Sequence, residues 1–178
     1  MADADEYVDV LGNDGVPLGH VKEKRLVHRD GDWHCAAHVW IVRSDGHVLL
    51  QRRAPGKASW PDRWDISVAG HVSAGETATE AVIREAEEEL GLTLEAAALQ
   101  HLGTLRYQAV TNGGTYIENE FHEVYLTVCD VDLATLRLDP AEVAEVRFVA
   151  EEEIDRYDVV PHPEEYALLR ATLSRIRT

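Results

Sequence analysis

The feature that most constrains this chain is a glutamate-rich segment with helical periodicity that ends at a glycine. From Thr77 to Leu90 the apolar residues recur at the spacing of one helical face. They are Ala78, Ala81, Val82, Ala86 and Leu90. Gly91 follows directly and is a typical helix stop. The pattern predicts a helix that packs through one face and carries carboxylates on the rest of its surface.

Three of those glutamates share one face of the predicted helix. Glu85, Glu88 and Glu89 stand at positions i, i+3 and i+4, so their carboxylates converge. Two like charges about 4 Å apart repel by about 4 kcal/mol at an effective dielectric near 20, and a cation relieves this repulsion. Hard oxygen ligands select Mg²⁺ or Mn²⁺. The pattern therefore favours a metal site for transfer of a phosphoryl or nucleotidyl group to water.

The loop before the helix favours this metal site over the alternative, which is that the glutamates are only the solvated face of an acidic helix. Gly70 and Gly75 allow backbone groups to approach a ligand closely. Arg84 is placed to pair with Glu76 and to brace the loop. We therefore expect the loop and the helix to form one site.

The loop and helix together resemble the signature of the Nudix superfamily. Two segments match. They are Gly70-His71-Val72-Ser73-Ala74-Gly75-Glu76 and Arg84-Glu85-Ala86-Glu87-Glu88-Glu89-Leu90-Gly91-Leu92, and a spacer of seven residues lies between them. The resemblance implies an α+β fold, a Nudix-type α/β/α sandwich with a central mixed β-sheet. It implies a hydrolase that acts on acid anhydrides in phosphorus-containing compounds. It also implies Mg²⁺ or Mn²⁺ at Glu85, Glu88, Glu89 and Gly70, with structural roles in the motif for Glu76, Arg84, Gly75 and Gly91.

Most of the remaining chain has strand patterns. Turn residues predict hairpins within Glu6–Lys22 and Cys35–Arg53, followed by a loop with Pro and Gly from Ala54 to Arg63. Further strands are predicted at Trp64–Val68, Leu102–Val110, Phe121–Val128 and Val146–Val149, and helices at Glu151–Tyr157 and Glu164–Ile176. We divide the chain into an N-terminal β-hairpin extension, residues 1–30, that packs on a hydrolase domain, residues 31–178.

Other segments are similar to isopentenyl-diphosphate isomerases. They are His28-Arg29-Asp30-Gly31-Asp32-Trp33-His34, Trp60 to His71, and Glu118-Asn119-Glu120. The resemblance implies a second metal site formed by His28, His34, His71, Glu118 and Glu120, a donor set that suits Mn²⁺ or Zn²⁺. The isomerases carry an essential cysteine where this chain has Ala69. A methyl group cannot transfer a proton, and loss of one acid or base costs about 10² to 10⁴ in rate. The balance therefore favours hydrolysis.

We accordingly expect cleavage of a small nucleotide-linked or other organic diphosphate. Glu85, Glu89 and Glu120 are the candidate catalytic residues, with either Glu89 or Glu120 as the general base. Arg52, Arg53 and Lys57 are candidates to neutralise the diphosphate, although the two arginines point to opposite faces of a regular strand, so that at most one reaches the site. The alternatives are an isomerase and a non-catalytic module that binds a phosphorylated effector.

Composition limits the partners. The formal net charge of -16 disfavours a nucleic-acid-binding surface, and no apolar run approaches the roughly 20 residues of a membrane span. Met1 to Glu6 does not resemble a secretory signal, so a cytoplasmic location is expected. Cys35 and Cys129 are expected to be buried free thiols. The sequence leaves a homodimer open.

Overall fold

The computed structural model describes residues 6–176. The strands are β1 (Tyr7–Leu11), β2 (Pro17–Glu23), β3 (His34–Val42), β4 (Val48–Arg53), β5 (Trp64–Asp65), β6 (Val68–His71), β7 (Gln100–Thr111), β8 (Tyr116–Val128) and β9 (Val143–Val149). The helices are α1 (Lys24–Asp30), α2 (Ala78–Leu90) and α3 (Pro163–Ile176), and the last 3₁₀ helix spans Glu151–Arg156. The expected absence of a secretory signal concerns Met1 to Glu6, of which only Glu6 is described.

A mixed sheet of seven strands forms the centre of the domain. Strand β3 lies in its middle, parallel to β8 and antiparallel to β4 and β6. Beyond these neighbours, β7 pairs with β8, and both β5 and β9 pair with β4. Alternate side chains of β3 face opposite layers. Ala37, Val39 and Ile41 pack in the core with α2, whereas Trp40 and Val42 pack in the core with α3. This arrangement confirms the expected α/β/α sandwich.

The predicted strand Trp64–Val68 is wrong, because two short strands, β5 and β6, are separated at Ile66 and Ser67. The buried Ser67 hydroxyl accepts a hydrogen bond from Ile41 N at 2.8 Å and donates one to Leu49 O at 2.6 Å. The Ser67 side chain thus takes the place of backbone hydrogen bonds between β3 and β4. These two strands pair directly only at Val42 and Val48. The opening admits β6 as a neighbour of β3, and β6 leads into the glycine loop.

One further expectation needs correction, and one short helix was not predicted. The segment predicted as a helix at Glu151–Tyr157 is a 3₁₀ helix over Glu151–Arg156. Helix α1 was not predicted, because it has seven residues, no side-chain cap at its start and too little length for a periodic pattern. It ends at Gly31 in the left-handed conformation, with φ of 74°.

The N-terminal hairpin packs against the glycine loop. Val8 and Val10 form a small buried cluster with Val27 of α1. Ala74 N donates to Tyr7 O at 2.8 Å, and Gly75 N donates to Asp9 Oδ2 at 3.0 Å. The hairpin therefore fixes the loop that precedes α2. Among the described residues, no helix is both long and apolar enough to cross a membrane, and Cys35 and Cys129 are free.

Candidate active site

Helix α2 is fixed at both ends by local signals. Thr77 and Glu80 form a reciprocal capping box, in which the Thr77 side chain accepts from Glu80 N and Glu80 accepts from Thr77 N. Gly91 ends the helix in the left-handed conformation with φ of 64°. These signals set the start and the end of the helix, and the packing of Ala81, Val82, Ala86 and Leu90 in the core sets which way its faces turn.

Arg84 ties the glycine loop to this helix. Its guanidinium donates to both carboxylate oxygens of Glu76, each at 2.9 Å, and to His71 O at 3.0 Å. Glu76 in turn accepts a bond from Ser73 N at 2.9 Å. The bidentate pair fixes the distance between loop and helix, as the sequence indicated.

Two glutamates of α2 project into a restricted space beside Gly70. A side chain at Gly70 would collide with Glu85, because an added Cβ would lie 2.2 Å from Glu85 Cδ. Glu85 is 13% exposed and Glu89 is buried. Burial, opposed by Arg84, raises the pKa of Glu85 to about 7. Burial and the neighbouring Glu85 raise the pKa of Glu89 well above its usual range.

These residues fit a divalent cation. The carboxylates of Glu85 and Glu89 repel each other next to Gly70, which leaves room because it has no side chain. A cation would relieve that repulsion. Glu88 also lines the cleft but is 59% exposed and pairs with Arg84 at 3.2 Å. An all-oxygen donor set of this kind suits Mg²⁺ or Mn²⁺.

A second cluster joins three histidines and a glutamate from four different elements. His28 lies on α1, His34 on β3, His71 on β6 and Glu120 on β8. The Nε2 atoms of His28 and His71 are 2.9 Å apart, and Glu120 Oε1 lies 3.4 Å from His34 Nε2 and 3.5 Å from His71 Nε2. One candidate ligand atom from each residue lies within 4.8 Å of the others. This geometry could hold a metal ion.

The electrostatics of this cluster suit metal ligands. Burial lowers the pKa of His28 to about 4 and the pKa of His71 well below its usual range, so both imidazoles are neutral at pH 7. Burial opposes ionisation of Glu120, but hydrogen bonds with His122, His34 and His71 hold its pKa well below the usual range. Neutral imidazole and ionised carboxylate are the ligand forms that metals require.

Glu118 lies outside that group of converging ligand atoms. Its carboxylate accepts a bond from Trp60 Nε1 at 3.1 Å. Trp60 stands in the loop before β5 with φ of 48°, and Asp62 follows with φ of 61°, a conformation that costs energy for residues other than glycine. The strained loop thus presents an indole to the site, and Glu118 contacts that indole.

Both clusters open into one cleft of about 1570 Å³. Arg53 and Lys57 line it, and both are paired: Arg53 with Asp65 at 3.0 Å, Lys57 with Glu142. Arg52 does not line this cleft and instead pairs with Asp62 at 3.0 Å and Glu145 at 3.5 Å. Arg52 is therefore a poor choice for a substrate contact, because side chains alternate along β4 and its neighbour takes the cleft side.

Comparison with known proteins agrees with this geometry. The NUDIX domain family matches residues 32–169. The chain belongs to the Nudix family. Nudix hydrolases act on pyrophosphate bonds of phosphorus-containing compounds.

Curated relatives carry two kinds of name. The chain is 33% identical over 136 residues to an uncharacterized Nudix hydrolase of Listeria innocua, covering 76% of this chain and 73% of that protein. It is 39% identical over 142 residues to an isopentenyl-diphosphate Delta-isomerase of Leifsonia xyli, covering 79% and 74%. It is also 44% identical over 153 residues to Nudix hydrolase 3 of Arabidopsis thaliana, covering 84% of this chain but only 20% of that longer protein.

Solved structures support the fold. The Deinococcus radiodurans protein DR0079 matches with a TM-score of 0.71 and 23% identity, covering 93% of this chain and 98% of that one. A MutT protein of Methanosarcina mazei matches with a TM-score of 0.62 and 20% identity, covering 82% and 96%. The central mixed sheet with flanking helices is therefore the Nudix architecture.

Several residues of the Nudix cleft were not found from the sequence. Those that line it are His38, Asp65, Tyr107, His122 and His162. Gln51 and Glu165 lie behind it, where they contact Glu89 and His38. A signal for two of them existed, because His34 and His38, and likewise Glu120 and His122, are separated by even numbers on strands and so share a face. Glu165, on α3, had no such signal, since helix packing decides what it meets.

Proposed function

We propose that this protein hydrolyses a phosphoanhydride bond in a nucleotide-linked or other organic diphosphate, with Mg²⁺ or Mn²⁺ bound by Glu85, Glu88, Glu89 and the Gly70 backbone. The supporting observation is the pair of mutually repelling carboxylates, Glu85 and Glu89, held beside Gly70 in the cleft. A bound cation would polarise the phosphate oxygens and acidify a water molecule. The protein's own groups would supply position and a base.

Glu89 is the better candidate for the general base. Burial together with Glu85 raises the pKa of Glu89 well above its usual range, so that its carboxylate is a stronger base than an ordinary glutamate. Gln51 Nε2 donates to Glu89 Oε2 at 3.2 Å and orients the carboxylate. Glu120 is a weaker base, because hydrogen bonds with three imidazoles hold its pKa well below the usual range. We assign Glu120 to the histidine cluster.

The substrate phosphates require positive charge beyond the cation. Lys57 lies in the loop between β4 and β5, next to Gly56, and reaches the cleft beside Glu142. Arg53 also lines the cleft, but it is held by Asp65 and the Ser59 carbonyl. We propose Lys57 as the mobile phosphate contact and Arg53 as the residue that fixes the loop. We also propose that the hairpin extension, residues 1–30, serves to hold the glycine loop in place.

The second candidate function is isomerisation of isopentenyl diphosphate. The cluster of His28, His34, His71 and Glu120 favours it, and so does the name of the Leifsonia xyli relative. Ala69 lines the cleft at the position where the isomerases have their cysteine. Since a methyl group transfers no proton, hydrolysis remains the better proposal.

A panel of organic diphosphates with Mg²⁺ or Mn²⁺ tests the proposal. We expect release of orthophosphate or a nucleoside monophosphate, no turnover with a chelator, and recovery when the metal is restored. Glu89→Gln should lower turnover at least about 10²-fold with the fold intact. Glu87→Gln, on an exposed position of the same helix, is the matched control. Equal activity of Glu89→Gln and the unsubstituted protein would contradict the assignment.

A further inference from the structure

Next to Ala69, which pairs with His38 across β6 and β3, lies a third group of potential ligands that belongs to neither cluster described above. His38 projects from β3, His122 from β8 and Glu165 from the first turn of α3. All three are buried, at 4%, 2% and 1% exposure. Glu165 Oε2 lies 2.9 Å from His38 Nδ1 and 3.6 Å from His122 Nδ1, and the three candidate ligand atoms fall within 4.8 Å of one another. We propose that these residues bind one transition-metal ion, best matched by Zn²⁺.

Unpartnered polar atoms at the same place indicate a ligand. Glu165 Oε1 and His162 Nδ1 are both buried and have no hydrogen-bond partner among residues 6–176. His162 packs next to the group, with its ring centroid 5.7 Å from His38 and 5.5 Å from His122. An unsatisfied buried polar group costs about 1–3 kcal/mol. A cation bound to Glu165 would give its carboxylate a second partner, since at present only Oε2 has one.

The donor set identifies the class of ion. Two imidazole nitrogens and one carboxylate oxygen are typical of Zn²⁺ and similar first-row ions rather than of Mg²⁺, which favours oxygen alone. Three protein ligands would leave a coordination position open, and His38 and His122 line the cleft, so that this position would face it. The ion would also join α3 to two central strands.

A supporting contact orients one of the ligands. His122 Nε2 lies 2.8 Å from Glu120 Oε2, which leaves His122 Nδ1 directed toward Glu165. A carboxylate that accepts from the far nitrogen of a metal-binding histidine is the usual outer support of such sites. Glu120 uses its other oxygen toward His34 and His71. The Glu120 carboxylate therefore connects the proposed site with the histidine cluster. It is a candidate ligand only in the histidine cluster.

The alternative occupant is a proton, which would make His122 an imidazolium between Glu120 and Glu165. Metal binding by the full untagged chain separates the two. His28→Gln/His71→Gln protein, in which the other histidine cluster is disabled, is stripped with a chelator and titrated with Co²⁺ and then Zn²⁺ in saturating Mg²⁺, which occupies the carboxylate site of Glu85, Glu88 and Glu89. We expect one Co²⁺ per chain with the visible absorption of a four-coordinate ion, displaced by Zn²⁺. No tight ion in this protein would overturn the proposal.

A further substitution locates the ion. Adding Glu165→Gln should weaken Zn²⁺ binding at least about 100-fold, since loss of a ligand costs no less than loss of an outer partner. Adding His47→Gln, at an exposed histidine paired with Asp45, should change nothing. Unchanged Co²⁺ absorption in the Glu165→Gln protein would refute the site. If that variant does not fold, His38→Gln replaces it with the same criteria, and if neither folds the Co²⁺ spectrum of the parent decides.

Discussion

Replacing one active-site glutamate by glutamine should stabilise the metal-free protein. Glu85 is held beside Gly70 and Glu89, and its pKa rises from 4.5 to about 7. At about 1.36 kcal/mol per pKa unit, ionised Glu85 costs the folded state about 3 kcal/mol at pH 8. Glu85→Gln removes the charge but keeps the shape. We therefore expect the variant to be more stable than the parent by up to about 3 kcal/mol at pH 8 in chelator.

The raised pKa of Glu85 also predicts how the stability of the parent protein changes with pH. The folded protein binds more protons than the unfolded chain between the two pKa values, so the stability of the parent falls as pH rises from 4.5 through about 7. The gain from Glu85→Gln should shrink to about 1 kcal/mol at pH 5. Saturating Mg²⁺ should reverse the order, because bound cation stabilises the parent alone.

Urea denaturation at pH 5 and pH 8, with chelator and with Mg²⁺, measures these differences. Glu87→Gln is the control, since Glu87 lies on the same helix with its side chain 51% exposed, and it should match the parent within about 0.5 kcal/mol. If Glu85→Gln is no more stable than the parent at pH 8 in chelator, burial does not destabilise the ionised Glu85 carboxylate as the structure indicates.

Three further outcomes are expected. Gly70→Ala should displace the Glu85 carboxylate, which an added Cβ would meet at 2.2 Å, and lower Mg²⁺ affinity about 10- to 100-fold in calorimetry, whereas Gly56→Ala, with nothing within 4 Å, should not. Mg²⁺ affinity should fall as pH drops below about 7, with proton release on binding, because the ion competes with the proton of Glu85; a flat profile from pH 6 to 8 would contradict this. Ala69→Cys should give trace isomerisation of isopentenyl diphosphate in a product assay, while an unsubstituted protein that turns this substrate over at about 1 s⁻¹ or faster would make isomerisation the better assignment.

The glutamate helix could be predicted almost completely from its sequence. Its capping residue, Thr77, and its terminating Gly91 act within a few positions along the chain, and the spacing of Glu85, Glu88 and Glu89 fixes a common face in any helix. The ion pair between Arg84 and Glu76 was also predictable, because the two residues are only 8 positions apart in the sequence. Such features depend on local backbone geometry, which the sequence determines directly.

The histidine clusters depend on how strands pair. His34 meets Glu120 because β3 runs parallel to β8 in one register, and a shift by one residue would turn the pair to opposite faces. His38 meets Glu165 across 127 positions of sequence. The resemblance to the isomerases indicated the cluster of His28, His34, His71 and Glu120. For the group of His38, His122 and Glu165, the sequence placed the two histidines on strand faces shared with His34 and Glu120, but nothing in it indicated Glu165.

Local chemistry thus determined which residues have side chains that could bind a metal, and tertiary structure decided which of them lie close enough together to share one ion. The raised pKa of Glu89 comes from burial, which the periodicity of α2 does not reveal. Likewise, Arg53 and not Arg52 faces the cleft because β4 pairs with β5 and β9 in a particular register. The reason is physical: spacing along a helix or strand is set by the backbone, whereas contacts between distant elements are set by how the layers pack.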